Sequence, residues 1–460
     1  MFKKSGFYVA GGGKVFHPGH PLNNDFPASW DVYYKPNGDD GGCRQNETIY
    51  SNVCPSAEPE SAFYDYQLAS LAVAQFKAAK NMSRPFFVAA GLRRPHRVWH
   101  VPKKYYDLYP NNGTDPTDIK LALHKTGPTG MPELAYIDNA WPSFRYDQNA
   151  PIPDRIAALG RWGYYAAVSF TDANLGLMLD ALDELDLAKE TVVALVGDHG
   201  WELGEHGEWC KRTNWEVGVR IPYMIRSPRH PETYGRQSAH FAEALDLYRT
   251  LAGLAGLPGS AVERGVEGDD LTPVFANASA VIKTAAYSQM ARCPAAGTLG
   301  PESACNAVKL TNIKYMGISV RTELWRYTGW FGFNGTANRV VWGDLQGAMT
   351  STSFCSVSPR SARFRQCCYH RACDLRCAAR HWALIGLLSA VLCPESGAQV
   401  MSSTRTTATT ARTLMPSRTR TWRTIQRTPP SKPSCSRCSR PGGNGGTSNL
   451  PSKALDVNIK

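Results

Sequence analysis

Two lysines and two histidines in this chain are spaced so that together they could act on an anion. "GGGKVFHPG" places Lys14 and His17 three residues apart behind a glycine run, and "GLRRPHRVWHVP" carries His96. "VGDHG" ends an apolar run on Asp198 and His199, and "HGEWCKRTNWE" carries Lys211. Asp198 and His199 supply a hard oxygen and an imidazole of the sort a divalent cation uses. Lys14 and Lys211 supply point charges for a tetrahedral anion, and His17 and His96 supply two proton carriers. Cleavage of a sulfate or phosphate ester needs such a set, because charge on the non-bridging oxygens must be neutralised and the leaving oxygen needs a proton. Taken singly, each residue has a plainer reading. Lys14 and His17 read as loop residues, His96 as a ring packed beneath Trp99, Asp198 as a helix N-cap, and Lys211 as a surface lysine. His206, seven residues after His199, fits no zinc spacing and reads as structural.

The elements that would position these groups are legible. Residues 61–80 and 164–189 carry apolar positions at helical spacing. Each precedes an apolar strand, "RPFFVAAGL" at 84–92 and "TVVALVGDHG" at 191–200. Helix then strand, twice, predicts an α/β domain with a largely parallel sheet. Ligands of such sheets bind beyond the carboxyl ends of the strands, where "RRPH" and "GDHG" both fall. A further helix is expected at 239–254, and "IKYMGISVRTELWRYTGWFGF" (313–333) alternates as antiparallel strands of a second, smaller sheet.

Charge and cysteine divide the chain in the same place. The net charge of +12 over 460 residues belongs to the end of the chain: Asp344 to Lys460 holds 17 Lys and Arg against 4 Asp and Glu, leaving the rest at −1. The body is therefore neutral, and the basic total is no argument for nucleic acid. Five cysteines precede residue 345 and eight follow. Cys43/Cys54 and Cys293/Cys305 each flank a short polar loop and read as local disulfides of an oxidising compartment, with Cys210 left as a buried free thiol. Sequons at Asn46, Asn81, Asn112, Asn277 and Asn334 point to the same secretory route. The start of the chain has no apolar leader, which gives the expectation of an incomplete N-terminus. The longest apolar stretch, 382–393, is too short for a membrane span. Residues 344–460 read either as a disordered basic tail or as the product of a frame or splice error; the second is preferred, because the change falls inside a small domain.

From Phe2 to about Gly343 the sequence resembles the sulfatase family, closest to its iduronate-2-sulfatase-like members. "VVALVGDHGWELGEHGEWCKRTNWEVGVRIPYMIRSP" carries the resemblance, with "GKVFHPG", "FFVAAGLRRPHRVWHVPKKYYDLYP" and "YMGISVRTELWRYTGW" in order. The resemblance implies an alkaline-phosphatase-like mixed, largely parallel sheet flanked by helices. It implies a catalytic α/β domain at 1–275 and, at 276–343, the start of an antiparallel-sheet subdomain that is incomplete. Asp198 and His199 then look like half of a site for one calcium ion, and Lys14 and Lys211 like the two sulfate lysines. His17 resembles the base that releases sulfate, and His96 the group that helps protonate the leaving alcohol. Trp201 and Asp172 would face the sugar. The implied reaction removes sulfate from a sulfated sugar acid of a glycosaminoglycan-like chain, in the lysosome or outside the cell, with no nucleic acid partner.

One departure stands beside the match. The family's nucleophile is a formylglycine made from Cys in C-x-[P/A]-x-R, preceded by an Asp-Asp pair on the first strand. No cysteine of this chain fits that motif, and Asp39-Asp40 and Asp269-Asp270 both lie in glycine loops. The formylglycine-generating enzyme is thus a partner only for a complete form, and this chain is expected to be an inactive fragment. Two other readings are a phosphodiesterase or phosphonate hydrolase of the same superfamily, and a non-catalytic protein that binds polyanions.

Overall fold

The computed structural model describes residues 1–17, 21–37, 42–43, 48–50, 52–110, 118–137, 152–294, 305 and 309–352, and the backbone of 387–393. Asp39-Asp40 and the sequons at Asn46 and Asn112 lie outside these residues.

A six-stranded sheet carries the site. Its strands are β1 (Tyr8–Gly13), β2 (Val32–Tyr34), β4 (Phe86–Gly91), β6 (Val192–Gly197), β9 (Tyr223–Arg226) and β14 (Leu387–Cys393), in the order β2-β1-β4-β14-β6-β9. Strands β2, β1 and β4 run parallel, while β14 is antiparallel to both β4 and β6, and β9 is antiparallel to β6. Strands β1, β2, β4 and β6 therefore point the same way, and the interior place between β4 and β6 is taken by β14. Two short ladders lie outside this sheet: β3 (Val53–Ser56) with β5 (Trp99–Pro102), and β7 (Glu202–Leu203) with β8 (Trp209–Cys210).

The helices are α1 (Tyr64–Lys80), α2 (Lys103–Tyr106), α3 (Asp154–Glu184), α4 (Glu216–Val219), α5 (Leu247–Leu254) and α6 (Thr272–Ala276). Alternate residues of the strands serve opposite faces. Tyr8, Ala10, Val88 and Ala90 pack with Leu68, Phe76 and Phe170 of α1 and α3. Val9, Ala89, Val192 and Ala194 pack with Leu251 and Leu254 of α5. Both faces are covered, as a sheet with parallel strands requires.

Helix α3 begins ten residues before the expected start at 164. The segment "DRIAALGRWG" lies outside the expected span, and its Gly163 serves packing: a Cβ there would stand 3.0 Å from the Trp99 ring. The expected helix at 239–254 is confined to its second half, where a capping box between Glu243 and Asp246 sets the start.

The second sheet is antiparallel throughout, in the order β10 (Ala286–Arg292), β11 (Tyr315–Arg321), β12 (Trp325–Asn334) and β13 (Arg339–Thr352). Strand β13 runs nine residues past Gly343. Disulfides join Cys43 to Cys54 and Cys293 to Cys305, and Cys210 is free and buried. Among the described residues no helix is long and apolar enough to cross a membrane.

Candidate active site

Three strands deliver the candidate residues from their carboxyl ends. Strand β1 ends in glycines because its neighbours come too close for side chains: Trp30 at Gly11, Tyr34 at Gly12 and Gly91 O at Gly13. A Cβ on Gly91 would lie 2.2 Å from the carbonyl carbon of Lys14, and Gly13 has φ +72 with Gly91 O at 2.4 Å from its would-be Cβ. The Lys14 amide donates to Gly91 O at 2.6 Å, so Lys14 leaves the sheet locked to the end of β4.

The loop after β4 is held from below. Asp65, in the first turn of α1 and 1% exposed, accepts from the Arg93 amide at 2.8 Å and the Arg94 amide at 2.9 Å, one on each oxygen. His96 follows, its amide donating to Arg93 O at 3.0 Å. Strand β6 ends at Gly197, and Asp198 and His199 come directly after it. Gly200 and Trp201 then donate to Gly218 O and Val217 O, fixing the turn. Lys211 follows β8 between Cys210 (φ +71) and Arg212 (φ +83). Two non-glycine residues in the left-handed region on either side of one lysine are a costly arrangement, of the kind that collects at functional sites.

The side chains converge. Lys211 Nζ donates to His199 Nε2 at 2.9 Å, His199 Nε2 lies 3.4 Å from Asp198 Oδ2, and Lys14 Nζ lies 3.8 Å from that same oxygen. The Trp201 ring sits among them, with its centroid 5.7 Å from that of His96, 6.0 Å from that of His199 and 6.0 Å from Lys211 Nζ.

Burial and the two ammonium groups set the protonation. His96 is pushed down to about 3 by burial and then by Lys211 and Lys14. His199 is pushed down to about 4, burial outweighing the pull of Asp198. Lys211 is lowered to about 8, first by burial and then by Lys14. Each imidazole points Nδ1 at a backbone carbonyl, Arg97 O at 2.5 Å for His96 and Gly200 O at 2.8 Å for His199. The neutral rings therefore carry their proton on Nδ1; the Nε2 of His199 accepts from Lys211, and that of His96 is unprotonated. The cluster is two ammonium groups, two neutral imidazoles and one half-exposed carboxylate.

Lys14, His96, Asp198, His199, Lys211 and Trp201 are brought together. Trp201 is 3% exposed and packs under the cluster against Tyr164, so it is a buried wedge and not an open sugar-facing surface. Asp172 is on the exposed side of α3 near Tyr105 and Tyr109, apart from this group. His17 is exposed in the turn after β1. His206 stacks on Trp215 at 4.1 Å, as a structural histidine would. Asp269 pairs with Lys283 at 3.4 Å, and Asp270 accepts from the Thr272 amide at 2.8 Å, so this Asp-Asp pair is engaged elsewhere. Sequence reasoning missed Asp65; the one available signal was an acidic residue opening an otherwise apolar helix.

The donor set also tests the calcium expectation. His199 already engages both ring nitrogens, and Asp198 faces Lys14. Among the described residues no group of three or more His, Cys, Asp or Glu converges to hold a metal ion. Calcium takes roughly six to eight oxygens. The described residues do not make that site by themselves.

A mixed α/β sheet covered on both faces, with two lysines, two imidazoles and a carboxylate at its strand ends, is the fold class that sulfatases share. Within that class the chain belongs to the sulfatase family, whose model, described as "Sulfatase", matches residues 3–257. It is 33% identical over 398 residues to the iduronate 2-sulfatases of Mus musculus and Homo sapiens, covering 72% of this chain and 70% of each relative. In fold it is similar to the phosphonate monoester hydrolase of Agrobacterium radiobacter, with TM-score 0.52, 18% identity, and 74% of this chain and 75% of that one covered.

Proposed function

We propose that this chain carries the anion-binding part of a sulfatase site for a sulfate ester on a sugar acid, at the end of a glycosaminoglycan-like chain. The observation that carries the reading is the convergence of Lys14 and Lys211 on Asp198 and His199, with His96 beside them. In a partly buried site two ammonium groups facing one carboxylate leave room for a further negative charge, which a sulfate supplies. Lys14 and Lys211 would hold non-bridging oxygens. Burial and the two ammonium groups hold His96 neutral; a sulfate between the lysines would offset their repulsion and let Nε2 take up a proton and deliver it to the leaving oxygen. His17, three residues after Lys14, would be the base that releases sulfate.

Sulfatases generally use a formylglycine and a divalent metal, which supply the nucleophile and charge neutralisation. The sequence contains no motif for the first, and the chemistry assigned to this chain rests on its own side chains alone. Two disulfides, and exposed asparagines at the sequons Asn81, Asn277 and Asn334, support a lysosomal or secreted setting.

Titration calorimetry with inorganic sulfate and with a 2-sulfated uronic acid tests the reading. Binding that is lost in both Lys14→Ala and Lys211→Ala is expected. Binding that survives both substitutions would refute the site.

A further inference from the structure

The segment after Lys211 has two sides. Lys211, Thr213 and Trp215 turn toward the catalytic sheet: Lys211 to His199, Thr213 Oγ1 to Glu202 Oε1 at 2.6 Å, and Trp215 onto His206. The intervening positions turn toward the small antiparallel sheet. Arg212 offers its carbonyl to Arg292 Nη1 at 3.1 Å. Asn214 donates to Gly317 O at 3.0 Å and accepts from Ser288 Oγ at 3.1 Å. Glu216 accepts from Arg326 at 2.9 Å and from Arg321 at 3.2 Å. Contacts alternate between the two sides along 211–216, so the segment is a strap laid between two bodies.

Arg292 is the anchor nearest Lys211. It is 3% exposed at the end of β10, with Trp330 beneath its guanidinium at 4.5 Å. Besides Arg212 O it donates to Leu134 O at 2.8 Å and to Ala135 O at 3.3 Å. One planar group thus ties three chain segments together, which a guanidinium fork does and an ammonium does less well. It holds the peptide immediately after Lys211, where Arg212 sits at φ +83, a conformation that persists only when surroundings enforce it.

We propose that the small sheet is the positioning element for Lys211, and that Arg292 is its principal positioning residue. It would act on the anion through the Arg212 carbonyl and never touch it. The inference rests on Lys211 being an anion-binding lysine.

The test uses the full chain, with Arg292→Ala, Arg292→Lys, Ser288→Ala and Lys211→Ala. Hydrogen exchange followed by mass spectrometry reads the peptides over 209–216 and over β1 and β4, and calorimetry reads affinity for inorganic sulfate. In Arg292→Ala, exchange at 209–216 is expected to rise about tenfold with β1 and β4 unchanged, and sulfate affinity to fall about tenfold. Arg292→Lys should recover part of both. Ser288→Ala leaves the buried arginine in place, so it remains informative if Arg292→Ala does not fold; it should loosen the strap and weaken sulfate less. Unchanged exchange at 209–216, or a looser strap with undiminished sulfate affinity, would overturn the proposal while Lys211→Ala still lost binding. If Lys211→Ala bound sulfate like the parent chain, the reading of the site would fall first and the proposal with it.

Discussion

Asp65 is the most informative single residue to change, because its two oxygens are each committed to one amide of the loop that carries His96. Asp65→Asn keeps the shape and replaces one acceptor by an NH2 group facing an N–H donor. A hydrogen bond to a charged group contributes about 1.5–3 kcal/mol, and a buried donor left without a partner costs about 1–3 kcal/mol. The amide variant loses one bond and strands one backbone N–H, so a destabilisation of about 2–4 kcal/mol is expected. Asp65→Ala loses both bonds and should cost about 3–5 kcal/mol, less if water enters the gap. Urea titration gives the global figure, and sulfate affinity gives the local one. Because both bonds lie between α1 and the 93–94 turn, the affinity should drop even at low temperature where the fold is intact. If Asp65→Asn were within about 0.5 kcal/mol of the parent and bound sulfate equally well, the claim that this carboxylate places His96 would be wrong.

Sulfate needs Lys211 as an ammonium, which burial and Lys14 limit to pH below about 8. Affinity should be level below that pH and fall about tenfold per unit above it, as calorimetry across pH would show. A Gly91→Ala substitution drives a Cβ to 2.2 Å from the Lys14 backbone and must part β1 from β4; a cost of at least about 3 kcal/mol in urea titration and loss of sulfate binding are expected. The Cys210 thiol, pushed up to about 11 by burial, is almost wholly protonated at neutral pH. Peptide mapping after iodoacetamide should find it unmodified in the native chain and modified once urea is added.

The strand ends were readable because their signals are local: an apolar run that stops at "GDHG" or before "RRPH" needs only a few residues to recognise. The antiparallel small sheet was legible for the same reason, from alternation over 313–333. What escaped depends on distant partners. Nothing within "DRIAALGRWG" tells that Gly163 makes room for Trp99, so the first third of α3 was missed. The family resemblance implied a sugar-facing Trp201, whereas its neighbours in space are Tyr164, His96 and His199. Arg292 lies 80 residues beyond Arg212, and only the folded chain shows them joined.

The glycines at the junction of β1 and β4 bear on how this molecule can vary. A Cβ on Gly12 would stand 2.2 Å from the Tyr34 ring and one on Gly11 2.5 Å from Trp30, while Gly13 and Gly91 face backbone across the junction. Every missense change that one base can make in a glycine codon introduces a Cβ. At these four positions no inherited single-base change of residue is conservative, and one at Gly91 would be felt directly at Lys14. The bare stretch of backbone is thus a concentrated target for harmful variants, although none of its residues carries a group that reacts.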